Sequence, residues 1–192
     1  MRALFLVVVL LLAACSTGDD AVVRGTEFDL VAPNGQLIIN YPQADRKKLG
    51  ELTGDDLMAE GKQLKLSDYQ GKVVLLNIWG AWCGPCRAEA PELQRLYDEN
   101  KDAGLQVLGI DVRDDIRSQP QDFMRDRNLT YPSIWDPSSR ILLGLKGYPR
   151  NNVPSTLILD RDHKVAAVYL TATLAKDIQP LIKQLLDEKP PS

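Results

Sequence analysis

Two cysteines three positions apart, Cys83 and Cys86, are the residues of this chain best suited to chemistry. Thiol–disulfide exchange needs a nucleophilic thiolate, a second thiol placed to attack the mixed disulfide, and access for a substrate. At a helix start, side chains three apart share a face and come within bridging distance. The unpaired N–H groups and positive dipole end of that helix favour a thiolate at Cys83. Cys83 is therefore the expected attacking thiol, and Cys86, one turn deeper, the resolving one. Gly84 and Pro85 between them carry no titratable group, so the activation expected is moderate. A CxxC also serves as half of a zinc site or as an inert bridge. Zinc asks for four ligands, and with His163 as the single histidine the set is incomplete, so no metal is expected. The sulfur pair would itself be the redox group, without a further cofactor.

The flanking sequence has the elements such a pair needs. Residues 73–79 form an apolar run broken only by Asn77, the pattern of a strand buried on both faces, and it leads directly into the cysteines. Residues 86–100 place Ala90, Leu93, Leu96 and Tyr97 at helical spacing, with Pro85 tolerated at the helix start and Pro91 expected to bend it. Further along, residues 105–110 read as a strand, 119–128 as a helix, 131–135 as a short extended piece, and 138–145 as a short helix closed by Gly147. Residues 155–159 and 165–170 read as a hairpin whose charged turn holds His163, expected to be solvated. Thr173 is the expected cap of a last helix reaching about residue 188. Alternating strands and helices with a terminal hairpin and helix predict an α/β fold, a mixed central sheet with helices on both faces.

Ahead of this domain, Phe28, Leu30, Leu37 and Ile39 flank Pro33-Asn34-Gly35, a turn signal that predicts an N-terminal β-hairpin over 26–49, with 43–49 a polar connector. Residues 50–61 and 63–66 predict a second extended unit. The first fourteen residues, Met1-Arg2 and then an apolar run to Ala14, fit a signal peptide and are too short for a membrane span of roughly 20 residues. They end in Leu12-Ala13-Ala14-Cys15-Ser16, which looks like a bacterial lipoprotein signal with Cys15 as the lipidated residue. Acyl chains there would anchor the protein to the outer face of the cell membrane. Residues 15–25 then read as a tether reaching about 20 Å or less. Lys+Arg 23 against Asp+Glu 26, without basic blocks, gives no source for nucleic-acid binding. A chain of 192 residues suits one domain, 50–189, plus these extensions, and a monomer is expected.

The stretch Trp79-Gly80-Ala81-Trp82-Cys83-Gly84-Pro85-Cys86 resembles the active site of thioredoxins and their exported relatives. With Glu89-Ala90-Pro91 after it, it is similar to the TlpA/ResA-like, membrane-tethered proteins of cytochrome c maturation, over about residues 50–188. The resemblance implies a thioredoxin-like fold. It implies reduction of the CxxCH cysteines of apocytochrome c, or of other secreted thiol proteins, with electrons from a CcdA/DsbD-like membrane thiol carrier. It also implies that Glu89 tunes the cysteines; one turn beyond Cys86, a proton relay is geometrically reasonable, and a solvated helix carboxylate is the alternative. Val153-Pro154-Ser155-Thr156 resembles the family's cis-proline loop, which with Trp82, Gly84 and Pro85 would receive the substrate peptide. Thioredoxins proper carry an aspartate where this chain has Asn77, which favours the tethered subfamily and leaves Asn77 to satisfy backbone groups. The Pro-x-x-x-Thr/Ser-x-x-Cys context of a peroxidase is not found before Cys83. A disulfide oxidant or isomerase, or a non-catalytic apocytochrome- or haem-binding module, are the rival functions.

Overall fold

A computed structural model describes residues 22–32 and 35–189. The leader, Cys15 and most of the expected tether lie outside the described residues. At the centre is strand β5 (Val73–Trp79), every residue buried. It runs parallel to β6 (Leu105–Val112) and antiparallel to β8 (Ser155–Leu159). Outward from β6 come β7 (Ser133–Asp136), β3 (Glu51–Asp56) and β1 (Val22–Arg24), with β4 (Gln63–Lys65) also on β3. Outward from β8 come β9 (Val165–Tyr169) and β2 (Ile38–Asn40). The helices are α1 (Gly84–Asn100), α2 (Ser118–Asp126), the short α3 (Arg140–Gly144) and α4 (Ala175–Asp187). This is the mixed sheet with helices on both faces that the alternating pattern predicts.

Alternation along β5 divides the core into two layers, because successive side chains point to opposite faces of a strand. Val73, Leu75 and Trp79 join Leu93 and Leu96 of α1, Met124 of α2, and Ile178, Ile182 and Leu185 of α4. Val74, Leu76 and Ile78 face the other way, where the short α3 contributes Ile141 and Leu142 and the 3-10 turn 66–69 contributes Leu66. Phe28, Leu30 and Leu49 of the N-terminal extension close that second face. Each such side chain, buried, contributes about 1.5–3 kcal/mol. The extension is thus a layer of the core.

It is not, however, the expected hairpin. The Leu30 amide bonds the Lys146 carbonyl, and those of Glu27 and Phe28 bond Lys48, while β2 pairs with β9 at the far edge of the sheet. The open edge of β9 and the carbonyls of Lys48 and Lys146 outcompete the local pairing that the turn residues suggest. Residues 22–24 of the expected tether likewise form β1 on β3. The polar connector carries a buried Arg46, whose guanidinium donates to Glu188 at 2.8 and 2.9 Å and to Asp160 at 3.1 Å. That network ties the extension to the β8–β9 turn and to the end of α4.

Three further expectations are corrected. His163 is 3% exposed, at φ 58, with Nε2 3.1 Å from the Tyr69 carbonyl. Burial lowers its pKa, so the ring is the neutral tautomer with Nε2–H donating. Thr173 makes no side-chain cap: Leu174 precedes α4, and the Thr173 hydroxyl bonds the Thr171 carbonyl. Strand β6 continues past residue 110 to Val112, which moves Asp111 from an expected loop into the sheet.

Candidate active site

The fold delivers Cys83 to the carboxyl end of β5 and the start of α1. Cys83 is the N-cap residue, and its Sγ accepts the Cys86 amide at 3.2 Å. A first-turn amide without an intrahelical partner thus points at that sulfur, where it and the positive end of the helix stabilise negative charge. Gly84 and Pro85 complete the first turn, where the missing proline donor costs nothing. Pro91 sits inside α1, which continues through it to Asn100. Cys83 and Cys86 are joined by a disulfide with Cα atoms 5.3 Å apart. Both are buried, Cys86 the more deeply.

The expected peptide-binding residues gather at the same end of the sheet. The Val153–Pro154 bond is cis, and Pro154 lies one residue beyond the Ile78–Ser155 pair of β5 and β8. Val153 packs against the cluster that contains both cysteines. Of the two tryptophans, Trp79 is core, its Nε1–H bonding Ser133 Oγ at 3.0 Å. Trp82 is 49% exposed beside Cys83, with Nε1–H donating to the Val112 carbonyl at 2.9 Å. Gly80 makes room for it: a Cβ there would lie 2.4 Å from the Trp82 ring nitrogen.

Glu89 is 4% exposed, which removes the solvated-carboxylate reading. Its Oε1 accepts the Asn77 amide at 2.7 Å, and its Oε2 the Thr173 backbone N–H at 3.0 Å. Burial raises its pKa above the ordinary carboxylate value, and those two donors pull it partly back. Asn77, expected to serve backbone groups, instead donates to Glu89 and, at 3.3 Å, to Thr156 Oγ1 beside the cis-proline. One polar cluster therefore links the strand before the cysteines, the helix after them and the loop facing them. It can accept or return a proton one turn from Cys86.

A second buried acid was not foreseen. Asp111 is fully buried in β6 opposite Trp79, and neither carboxyl oxygen finds a donor among the described residues. Burial first, then a hydrogen bond to Asp114, then the charges of Asp114 and Asp136, push its pKa up to about 10. Beside it, Asp114 Oδ2 accepts the Ala81 amide at 2.6 Å. The segment leading to Cys83 is thereby held from β6. An aspartate in a largely apolar strand run was the available signal, masked by ending the strand at residue 110, two residues early. Among the described residues no group of three or more potential ligands could hold a metal ion, and no helix is long and apolar enough to cross a membrane.

The AhpC/TSA family matches residues 47–168. A protein of Bacillus thuringiensis subsp. konkukian, named thiol-disulfide oxidoreductase ResA, is 34% identical over 66% of this chain and 70% of its own. The crystal structure of a secreted thiol-disulfide isomerase from Corynebacterium glutamicum superposes with a TM-score of 0.83 at 44% identity, over 85% of this chain and all of that one. A DsbF homologue from Corynebacterium diphtheriae gives 0.78 at 39%, over 82% and 99%. The first two are named for thiol–disulfide chemistry, with which the Cys83–Cys86 pair of this chain is consistent. The chain accordingly belongs to the AhpC/TSA family, and within it to the thioredoxin-like, ResA-like thiol-disulfide oxidoreductases.

Proposed function

We propose that the protein acts outside the cytoplasm, held to the outer face of the membrane through Cys15, and reduces the CxxCH disulfide of apocytochrome c before haem attachment. The observation that carries a reductive exchange is the buried, doubly hydrogen-bonded Glu89 one turn from the deeper cysteine. In the first step the Cys83 thiolate attacks one substrate sulfur; a mixed disulfide forms, the substrate S–S bond breaks, and the leaving thiolate takes a proton from water. In the second, Cys86 gives its proton to the Glu89 carboxylate and attacks Cys83 Sγ. The mixed disulfide breaks, Cys83–Cys86 forms, and two electrons have passed to the substrate. A raised Glu89 pKa, nearer neutrality, suits that base. Gly84, Pro85, Val153, Pro154 and Trp82 frame the peptide. The sulfur pair is the redox group with no further cofactor, and a CcdA/DsbD-like membrane thiol carrier returns it to the dithiol.

A second reading runs the same steps backwards, as an oxidant or isomerase of secreted proteins. The 44% identity to a secreted isomerase favours it. The reduction potential of the purified protein, equilibrated with glutathione and dithiothreitol buffers, separates the two. A value near or below about −250 mV supports the reductant; one near about −120 mV, the oxidising end of the scale, overturns it.

A further inference from the structure

Arg113 follows β6 directly and adopts φ 61, a left-handed conformation that costs a side-chain-bearing residue about 1–2 kcal/mol. Such outliers persist where the surroundings hold them. Here the guanidinium lies over the Trp82 ring at 5.6 Å and donates to the Arg150 carbonyl in the loop that leads to Pro154. With its indole nitrogen tied to Val112, Trp82 has its ring fixed between the cysteine turn and Arg113. Three segments around Cys83 are thus joined by one exposed cation.

The charge distribution points the same way. Arg46, Arg95 and Arg125 are each paired with a carboxylate, and Lys146 with Asp29. Among the described residues no ion pair forms at Arg113 or Arg150, nor at Arg24, Arg87, Arg117, Arg127 or Arg161; what singles out Arg113 is its place over Trp82 and its bond to the Arg150 carbonyl. Asp114 is buried against Ala81, and Asp115, next in sequence, is exposed. Arg113 thus keeps an exposed guanidinium without an ion pair against Trp82, next to Cys83, and Arg150, whose carbonyl Arg113 bonds, is exposed in its loop. Exposed guanidinium forks bind carboxylates bidentately and steer acidic segments as they approach.

We infer that Arg113, stacked on Trp82, forms with Arg150 a specificity-determining rim that selects disulfides flanked by an aspartate or glutamate side chain. This deepens the exchange function proposed above and rests on it. Arg113 fixes the ring on which the peptide lies, and the two guanidinium groups read the carboxylate beside the substrate cysteine. Because the charge also favours the Cys83 thiolate for every substrate, a ratio of rates isolates the reading.

The test uses the purified, reduced protein and two disulfide peptides identical except for glutamate or lysine next to the cysteines, followed by stopped-flow. At low salt the glutamate peptide should react about three- to tenfold faster, and the ratio should shrink as salt rises. Arg113→Lys keeps the preference, Arg113→Glu reverses it, and Arg150→Glu, in another loop, lowers it independently. Equal wild-type rates, or a ratio unchanged in both glutamate variants, overturn the rim. If neither peptide reacts, the exchange function itself falls.

Discussion

Two carboxyl groups are buried on the helix side of the sheet, and their surroundings treat them differently. Glu89 has two donors, from Asn77 and Thr173, drawn from β5 and from the segment before α4. Asp111, on the neighbouring strand, has none among the described residues and faces Asp114. Both pKa values rise, but only Glu89 has donors that stabilise its charge, so it can change protonation during a reaction. Asp111 instead stays neutral, beside the Asp114 carboxylate that holds the Ala81 amide. The first group serves the chemistry of Cys86, the second the placement of Cys83. Burial sets the direction of a shift; the donors present decide whether the group is a reagent or a brace.

The comparison is broken most severely at the sulfurs. Cys83→Ser should lose exchange by more than about a thousandfold, whereas Cys86→Ser should still attack and accumulate the mixed disulfide, seen by mass spectrometry. Retained function in Cys83→Ser would support a non-catalytic binding module.

Next in size is Glu89→Gln, which keeps the shape and the Thr173 bond but removes the base. Resolution by Cys86 should slow about ten- to a hundredfold, with attack by Cys83 unchanged in stopped-flow. Wild-type rates for both steps would end the relay.

Asp111 should show itself in stability rather than rate. A pKa raised from 3.8 to about 10 means that the folded state holds a proton the unfolded state has released, so stability present at low pH is lost as pH rises through that window. Asp111→Asn is neutral at every pH and removes this slope. Between pH 7 and 9 the wild type should lose about 2 kcal/mol more than the variant in urea denaturation. Parallel profiles would mean that Asp111 is ionised.

The smallest effect tunes Glu89. Asn77→Leu deletes one donor and should move the pH midpoint of the resolution step upward by about one unit, while Asn77→Gln restores part of it.

Local pattern carried much of this far. Helical spacing after Cys86 and the unbroken apolar run before Cys83 define a strand and a helix by their own periodicities, and they fix the cysteines between them. Trp79 as core and Trp82 as surface follow the same division. Asn77, Thr173 and Asp111 could not be read in that way. Asn77 and Thr173 act through partners 12 to 84 positions away, and Asp111 lies opposite Trp79 on the neighbouring strand, none of which a periodicity encodes. Asn77 looked like a backbone partner because polar residues in buried strands commonly are; Glu89 claims it instead. The expected hairpin over 26–49 failed for a related reason. Pro33-Asn34-Gly35 favours a turn by local conformation, but the flanking runs gain more from the open β9 edge and an uncovered face than from each other.

The sequence by itself determined the reactive pair, the strand–helix unit that presents it and the family resemblance, because these depend on residue types at short, fixed spacings. Only the tertiary structure decided which acid is a reagent, which is a brace, and what the N-terminal segment covers. Those outcomes depend on which donors and apolar surfaces meet when distant segments pack, and a buried charge is priced by its neighbours in space.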